Sequence, residues 1–252
     1  MVADLRRDGG RSIAVGDAVL GEVLLGVIAA SGQRVLDIVD VGGGTGGLAV
    51  PLATLGHNVT VVDPSPDALA AAQRRAAEVT VRLTAVQGEA ASVDSLAGHA
   101  AADLIICHNV LEYVDSPADA MTAIAAVLRP SATVSVLAAN TVAAVLHRAL
   151  AGRFTEARQL LGGEAAPAPP AAGAGAGPPR RFTLPELTAL IEAAGLRAGE
   201  SHGLRIFSGL VPGALLDADP GGTEALRALE AAAAAAPPLR DIAAQLHLLG
   251  HR

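Results

Sequence analysis

The 252-residue chain contains no lysine and no tryptophan, and only one tyrosine, three phenylalanines and one cysteine. The lone Cys107 excludes an internal disulfide and any cysteine-based zinc cluster. With no lysine, all positive side-chain charge is arginine, 18 residues against 25 acids, for a formal net charge of −7. That balance argues against a broadly basic nucleic-acid surface, while leaving room for a local arginine patch. Aromatic stacking of a base is limited to Tyr113, Phe154, Phe182 and Phe207. No uninterrupted apolar run reaches the roughly 18–20 residues of a membrane span. The opening stretch MVADLRRDGGR lacks the apolar segment of a signal peptide. No membrane partner is expected, and the cytoplasm is the expected compartment.

Half of the residues are apolar (51%), enough for the core of one large domain. Residues 16–31 read as an amphipathic helix. The β-rich run RVLDIVDV (34–41) ends at a glycine cluster, and GGLAVPLATLG (46–56) has apolar residues at helical spacing. HNVTVVD (57–63) is a second strand closing on an acid. PSPDALAAAQRRAAE (64–78) enters a helix through Pro, Ser and Asp. Strands at 81–88, 101–110 and 132–140, with a helix at 117–130, continue the alternation. The 101–110 strand is apolar through its centre, as in a strand covered on both faces. Five strands alternating with helices predict a doubly wound, mostly parallel α/β sheet with helices on both faces. Ligands bind such sheets beyond the carboxyl ends of the strands.

VDVGGGTGG (39–47) falls at the first of those ends. Read from Gly42 it fits G-x-G-x-x-G (Gly42, Gly44, Gly47), a dinucleotide loop. Read from Asp40 it fits acidic-x-G-x-G-x-G (Asp40, Gly42, Gly44, Gly46). In both readings glycines let the backbone turn sharply and approach a ligand. Asp63, at the end of the second strand, suits either, because a carboxylate can accept both hydroxyls of an adenosine ribose. The neighbours decide. An acid directly before the glycines repels a pyrophosphate but attracts the sulfonium and ammonium of S-adenosylmethionine. The third strand runs into QGEA (87–90), whose Glu89 can accept from an adenine amino group, and the fifth is introduced by LRPSATVSV. Over residues 34–140 this combination resembles the class I S-adenosylmethionine-dependent methyltransferases. The resemblance implies a seven-stranded Rossmann-like sheet and S-adenosylmethionine as cofactor.

Further phrases come in a telling order: ICHNVLEYVDSP (106–117), ANTVAAVLHRALAGRF (139–154), RRFTLPEL (180–187), GLRIFSGL (203–210) and PPLRDIAAQLHLLGHR (237–252). Together they resemble the bacterial tRNA carboxymethoxyuridine methyltransferases, which esterify a carboxylate on a modified wobble uridine. That resemblance implies cofactor contacts at Gly42, Gly43, Asp63, Ala90, Ala91 and His108, and an acceptor carboxylate on tRNA or on a small molecule. Where the family is Lys-rich, this chain has a Pro/Ala/Gly stretch and then Arg180 and Arg181. One domain over 1–252 is expected. Its parts are a cofactor-binding core at 34–140, a linker or lid at 162–179 too poor in large side chains to order itself, and a substrate-side segment at 180–252. In that segment Thr183 and Glu186 form a capping box and Gly195 stops the helix. Residues 197–207 and 241–252 read as strands, the second equally compatible with a helix.

A carboxylate acceptor is ionised at neutral pH and needs a cation rather than a base. Arg205, in GLRIF, is the candidate bidentate clamp. Asn140 and Tyr113 are further candidate substrate contacts, with loop capping the competing role for Asn140. His108 is a wall of the cofactor site or, for an alcohol or amine acceptor, a general base with an ordinary pKa of roughly 6.5. Catalysis is otherwise positioning, which can contribute on the order of 7–11 kcal/mol. Cys107 reads as an inert core residue, His147 as a helix-face residue, and no metal is expected. A cofactor-binding protein without turnover is the alternative on the same fold. The oligomeric state is not legible in the sequence.

Overall fold

The structure is a computed structural model that describes residues 15–32, 34–162, 179–211 and 221–252. The strands are β1 (Asp37–Val41), β2 (Asn58–Asp63), β3 (Thr84–Gln87), β4 (Ala102–His108), β5 (Leu128–Ala139), β6 (Arg197–Leu204) and β7 (Gln245–His251). The helices are α1 (Val15–Ala30), α2 (Ala49–Thr54), α3 (Pro66–Glu78), α4 (Val93–Ala97), α5 (Pro117–Val127), α6 (Thr141–Leu150), α7 (Phe154–Leu161), α8 (Leu184–Ala193), α9 (Gly222–Ala233) and α10 (Pro237–Arg240). All seven strands form one sheet in the order β3-β2-β1-β4-β5-β7-β6. Only β7 runs against its neighbours, antiparallel to both β5 and β6.

Caps set the helix starts. Ser65, Ser116 and Thr183 each accept a backbone N–H of the first turn, with a proline at the helix entry. Thr183 and Glu186 close the expected capping box. On β4, Leu104 and Ile106 face a core shared with α1, α2 and α3, while Ile105 and Cys107 face the core beneath α5 and α8. Both faces are covered, which is why this run is apolar without alternation.

Several boundaries differ from the sequence reading. The helix expected over 46–56 is confined to 49–54, because Gly46, at φ +77°, still belongs to the loop. β3 is an edge strand and short. β5 starts at Leu128, upstream of the expected 132, and passes through Ser131 at φ +67°. The ambiguous 241–252 segment resolves as β7: Leu246 and Leu248 enter one core while His247 points to the other face, a period of two. The expected linker at 162–179 lies, apart from its two end residues, outside the described residues.

Candidate functional site

The glycine loop crosses the carboxyl ends of β1 and β2. Gly42 N–H donates to the Val62 carbonyl at 2.7 Å, and Gly42, Gly44 and Gly46 all have positive φ. A Cβ on Gly42 would stand 2.4 Å from Val110 Cγ2, and one on Gly43 would stand 2.5 Å from the Asp40 carboxylate. The loop therefore presents backbone where a side chain would fill the cradle. Asp40 is buried on β1, and burial, then the charge of Asp63, push its carboxyl up to about 7. Asp63 accepts the N–H of Gly44 and of Ser65, each at 2.9 Å, leaving lone pairs on both oxygens. Beside it, Gly88 N–H donates to the Asp63 carbonyl, leading into a 3-10 turn at Ala90–Ser92. Glu89 is exposed at the start of that turn, Ala90 is buried and Ala91 exposed.

The fold thus lines up Asp40, the glycines, Asp63, Glu89–Ala91 and His108 along the adjacent carboxyl ends of β3, β2, β1 and β4. A buried carboxyl held partly protonated is relieved by a nearby cation and further raised by a phosphate. The residues fit an adenosyl cofactor bearing a sulfonium and an ammonium. His108 Nε2 lies 2.8 Å from Ser135 Oγ, while its Nδ1 is buried without a hydrogen-bond partner. Burial holds this imidazole down to about 3, so it is neutral. Among the described residues no group of three or more His, Cys, Asp or Glu is placed to hold a metal ion. Cys107 is buried, and burial raises its thiol.

Residues 39–134 match the model of the methyltransferase domain family. Over that stretch the chain is similar to methyltransferases. It is 32% identical over 139 residues to the tRNA 5-carboxymethoxyuridine methyltransferase of Escherichia coli K12, covering 54% of this chain and 53% of that one. It is 33% identical over 135 residues to a ubiquinone biosynthesis O-methyltransferase of Xanthomonas campestris, covering 53% and 54%. The chain spans about half the length of these curated relatives. A methyltransferase from Methanosarcina mazei superposes with a TM-score of 0.62 at 16% identity, over 90% of this chain and 96% of that one. The magnesium protoporphyrin IX methyltransferase of Synechocystis, solved with S-adenosylhomocysteine bound, gives 0.61 at 16%, over 100% and 92%. These two structures share the fold.

Beyond the glycine loop, residues 39–134 meet the C-terminal segment around the ends of β4 and β5. Arg180 pins the turn after β4, its backbone N–H on the Glu112 carbonyl and its guanidinium on the carbonyls of Val114 and Asp115. Arg181 is half-buried within electrostatic range of Arg148, Glu112 and Tyr113; burial, then Arg148, lower its pKa. Arg148, on α6, lies 3.4 Å from Glu156. The buried Glu112 accepts Ala139 N–H at 2.8 Å through one oxygen and has no partner on the other. Burial raises it. The sequence reading missed Glu112, although an acid inside the apolar run VLEYV was the available signal. Tyr113 is exposed at the rim.

Two expected substrate contacts are placed differently. Asn140, 1% exposed, donates to the carbonyls of Asp241 and Ala243 and accepts Val142 N–H as the N-cap of α6. This is the loop-capping role that competed with a substrate contact, its amide holding β5, α6 and the approach to β7 together. Arg205 is exposed just past β6, with a left-handed backbone at φ +59°. It lies at the carboxyl end of the sheet, but β7 and β5 stand between it and His108. A groove of about 660 Å³ lined by Thr183, Thr188, Glu192, Arg240 and Asp241 contains none of the expected cofactor contacts.

Proposed function

We propose that this chain transfers a methyl group from S-adenosylmethionine to an oxygen of an anionic acceptor, a carboxylate carried by a tRNA or by a small molecule. The observation that carries the reading is the buried Asp40 carboxyl behind a loop whose glycines leave the cradle open. Asp40 holds the cationic end of the cofactor, and Gly42, Gly43, Gly44 and Gly46 admit it closely. Asp63 takes the ribose hydroxyls, Glu89 the adenine amino group, and Ala90, Ala91 and His108 wall the pocket. When bound, the cofactor supplies a methyl group already activated by its sulfonium. Residues 34–140 form the cofactor half and residues 180–252 the acceptor side.

On that side Arg181, with Arg148 near it, is the first candidate to hold the acceptor carboxylate, because it reaches the end of β4 while Arg205 stands two strands away. Arg205 and Tyr113 are rim contacts for the rest of the acceptor. The two curated relatives are named for a tRNA carboxymethoxyuridine and for ubiquinone biosynthesis, which supports an oxygen acceptor without choosing between RNA and a small molecule. A second reading, a hydroxyl or N–H acceptor, is favoured by the unpartnered Nδ1 of His108.

The test uses cofactor labelled in the methyl group, incubated with the protein and either bulk tRNA or a panel of small organic acids. Base-labile label in RNA supports the tRNA acceptor, and label in an acid alone removes it. No transfer to either contradicts the proposed activity on a carboxylate.

A further inference from the structure

His108, Ser135, His247 and His202 come from four neighbouring strands and share one face of the sheet. The register requires this. Ile106 pairs with Ser135 and His108 with Leu137 across β4 and β5, Leu137 pairs with His247, and His247 pairs with His202. Asp40 pairs with Ile106, so the same face carries the acid at the glycine loop. The polar atoms are in contact along the row: His108 Nε2 to Ser135 Oγ 2.8 Å, Ser135 Oγ to His247 Nε2 2.8 Å, His247 Nδ1 to His202 Nδ1 3.3 Å. Ser135 and His247 are fully buried, and His202 is half-buried on the edge strand.

The inventory of protons constrains this row tightly. A neutral imidazole has one donor and one acceptor nitrogen, and a hydroxyl has a single proton. Ser135, lying between two ring nitrogens, can accept from both or donate to one while accepting from the other, and only the second mode carries a proton between the rings. His247, bonded through both nitrogens, donates through one and accepts through the other. Two arrangements use the Ser135 proton to link the rings in series. In the first, His108 Nε2–H donates to Ser135, Ser135 to His247 Nε2, and His247 Nδ1–H to His202 Nδ1, leaving His108 Nδ1 a bare lone pair. In the second every bond is reversed and His108 Nδ1 carries the proton.

We propose that Ser135, His247 and His202 are positioning residues that set which nitrogen of His108 is protonated and conduct a proton from His108 Nδ1 to the outer edge of the sheet. The site is thereby equipped for acceptors that lose a proton on methylation, hydroxyl or N–H groups, in addition to carboxylates. The acceptor's proton moves to His108 Nδ1, and the electron pair of the broken bond stays on the acceptor atom. The His108 Nε2 proton passes to Ser135, the Ser135 proton to His247 Nε2, and the His247 Nδ1 proton to His202 Nδ1. His202 releases its Nε2 proton to solvent. One proton enters, one leaves, and no imidazole ends charged. Such hand-over is what a buried His108 requires, because burial keeps it from storing a charge.

Burial likewise lowers His247, with His108 and His202 adding to the effect, and lowers His202, which Glu200 raises and Arg240 lowers. Arg240 comes from α10 against β6. In α1, which also packs on β6, Glu22 is the only charged residue among the described side chains. His202 is the least buried of the three and is the entry point for a test. Its cation must donate from Nδ1, which puts the His247 proton on Nε2 and, with Ser135 donating onward, sets the second arrangement.

The consequence for acceptors rests on the methyl-transfer reading, whereas the relay does not. The test is nitrogen-15 NMR of the histidine-labelled full chain, reading the tautomer of each ring. Expected are His108 protonated on Nε2 at neutral pH and a joint switch of His247 and His108 to the second arrangement as acid titrates His202. In Ser135→Ala, His247 still follows His202 and His108 does not, while Ser135→Thr restores the coupling. His202→Phe, which leaves the buried groups in place, removes the switch if the Ser135 variant fails to fold. A His108 already protonated on Nδ1 at neutral pH, or one indifferent to His202, overturns the relay. Calorimetry with S-adenosylhomocysteine separates the two claims. Coupling without binding leaves the relay and removes the methyl-transfer reading, and binding without coupling does the reverse.

Discussion

Asp40 and Asp63 place two carboxyls at the ends of adjacent strands, and the chain treats them differently. Asp63 is stabilised by two backbone N–H donors. Asp40 is buried, and its carboxyl is raised to about 7. A cation beside it favours the ionised form, so binding of S-adenosylmethionine below about pH 7 should expel a proton. Affinity should rise with pH through that range, and calorimetric heats should depend on the ionisation enthalpy of the buffer. Asp40→Asn should abolish both dependences and weaken binding by about 10–100-fold, the size of one charge-assisted hydrogen bond. Ser131 shows the opposite economy of type. The structure places Ser131 at φ +67°, in the left-handed region that favours glycine. A left-handed non-glycine residue costs about 1–2 kcal/mol. Ser131→Gly should therefore raise the melting temperature by roughly 2–4 °C for each kcal/mol recovered, read by calorimetry.

At the scale of elements, legibility followed locality. The helices at 66–78 and 184–193 were readable because Ser65 and Thr183 act within their own first turn. β7 was ambiguous because its alternation is short and its partners, β5 and β6, are distant in the chain. The His108–Ser135–His247–His202 row was invisible for the same reason, since its spacing exists only in the register of four strands. Glu230 is another such case. This α9 carboxylate, 1% exposed, accepts the N–H groups of Ile206, Phe207 and Ser208 and so fixes the turn that presents Arg205. Glu230→Ala leaves three donors without their acceptor and should cost about 3 kcal/mol, measured by urea unfolding. Faster hydrogen exchange at 206–208 should accompany it.

Across the whole molecule the sheet has two chemically distinct ends. At the amino end Arg34 and Arg129 hold Asp103, and Arg129 also holds Asp37, with nitrogen–oxygen distances of 2.8–3.0 Å. Hydrogen bonds from Asn58 and Arg129 lower Asp37. For Asp103, burial raises the pKa, but the Asp37 backbone N–H and the two arginines outweigh it. At the carboxyl end Asp40 is raised. The signs are opposite. Lowered carboxyls stabilise above their unfolded pKa and lose that contribution as the pH falls through their folded values. A raised carboxyl stabilises below its unfolded pKa and loses that contribution as the pH rises through about 7. Without cofactor, thermal stability should therefore be greatest in mildly acid solution and decline on both sides, and Asp40→Asn should remove the decline near neutrality. The parallel α/β class and the ligand end of the sheet were readable from the repeating pattern of elements. The amino-end ion cluster was not, because Arg34, Asp37, Asp103 and Arg129 are scattered along the chain.

The most direct measurement of the central claim is a calorimetric titration of the unmodified protein with S-adenosylmethionine, and separately with NAD. Saturable single-site binding of S-adenosylmethionine, with NAD far weaker, is the expected result. No saturable heat with S-adenosylmethionine, or tighter binding of NAD, would contradict it.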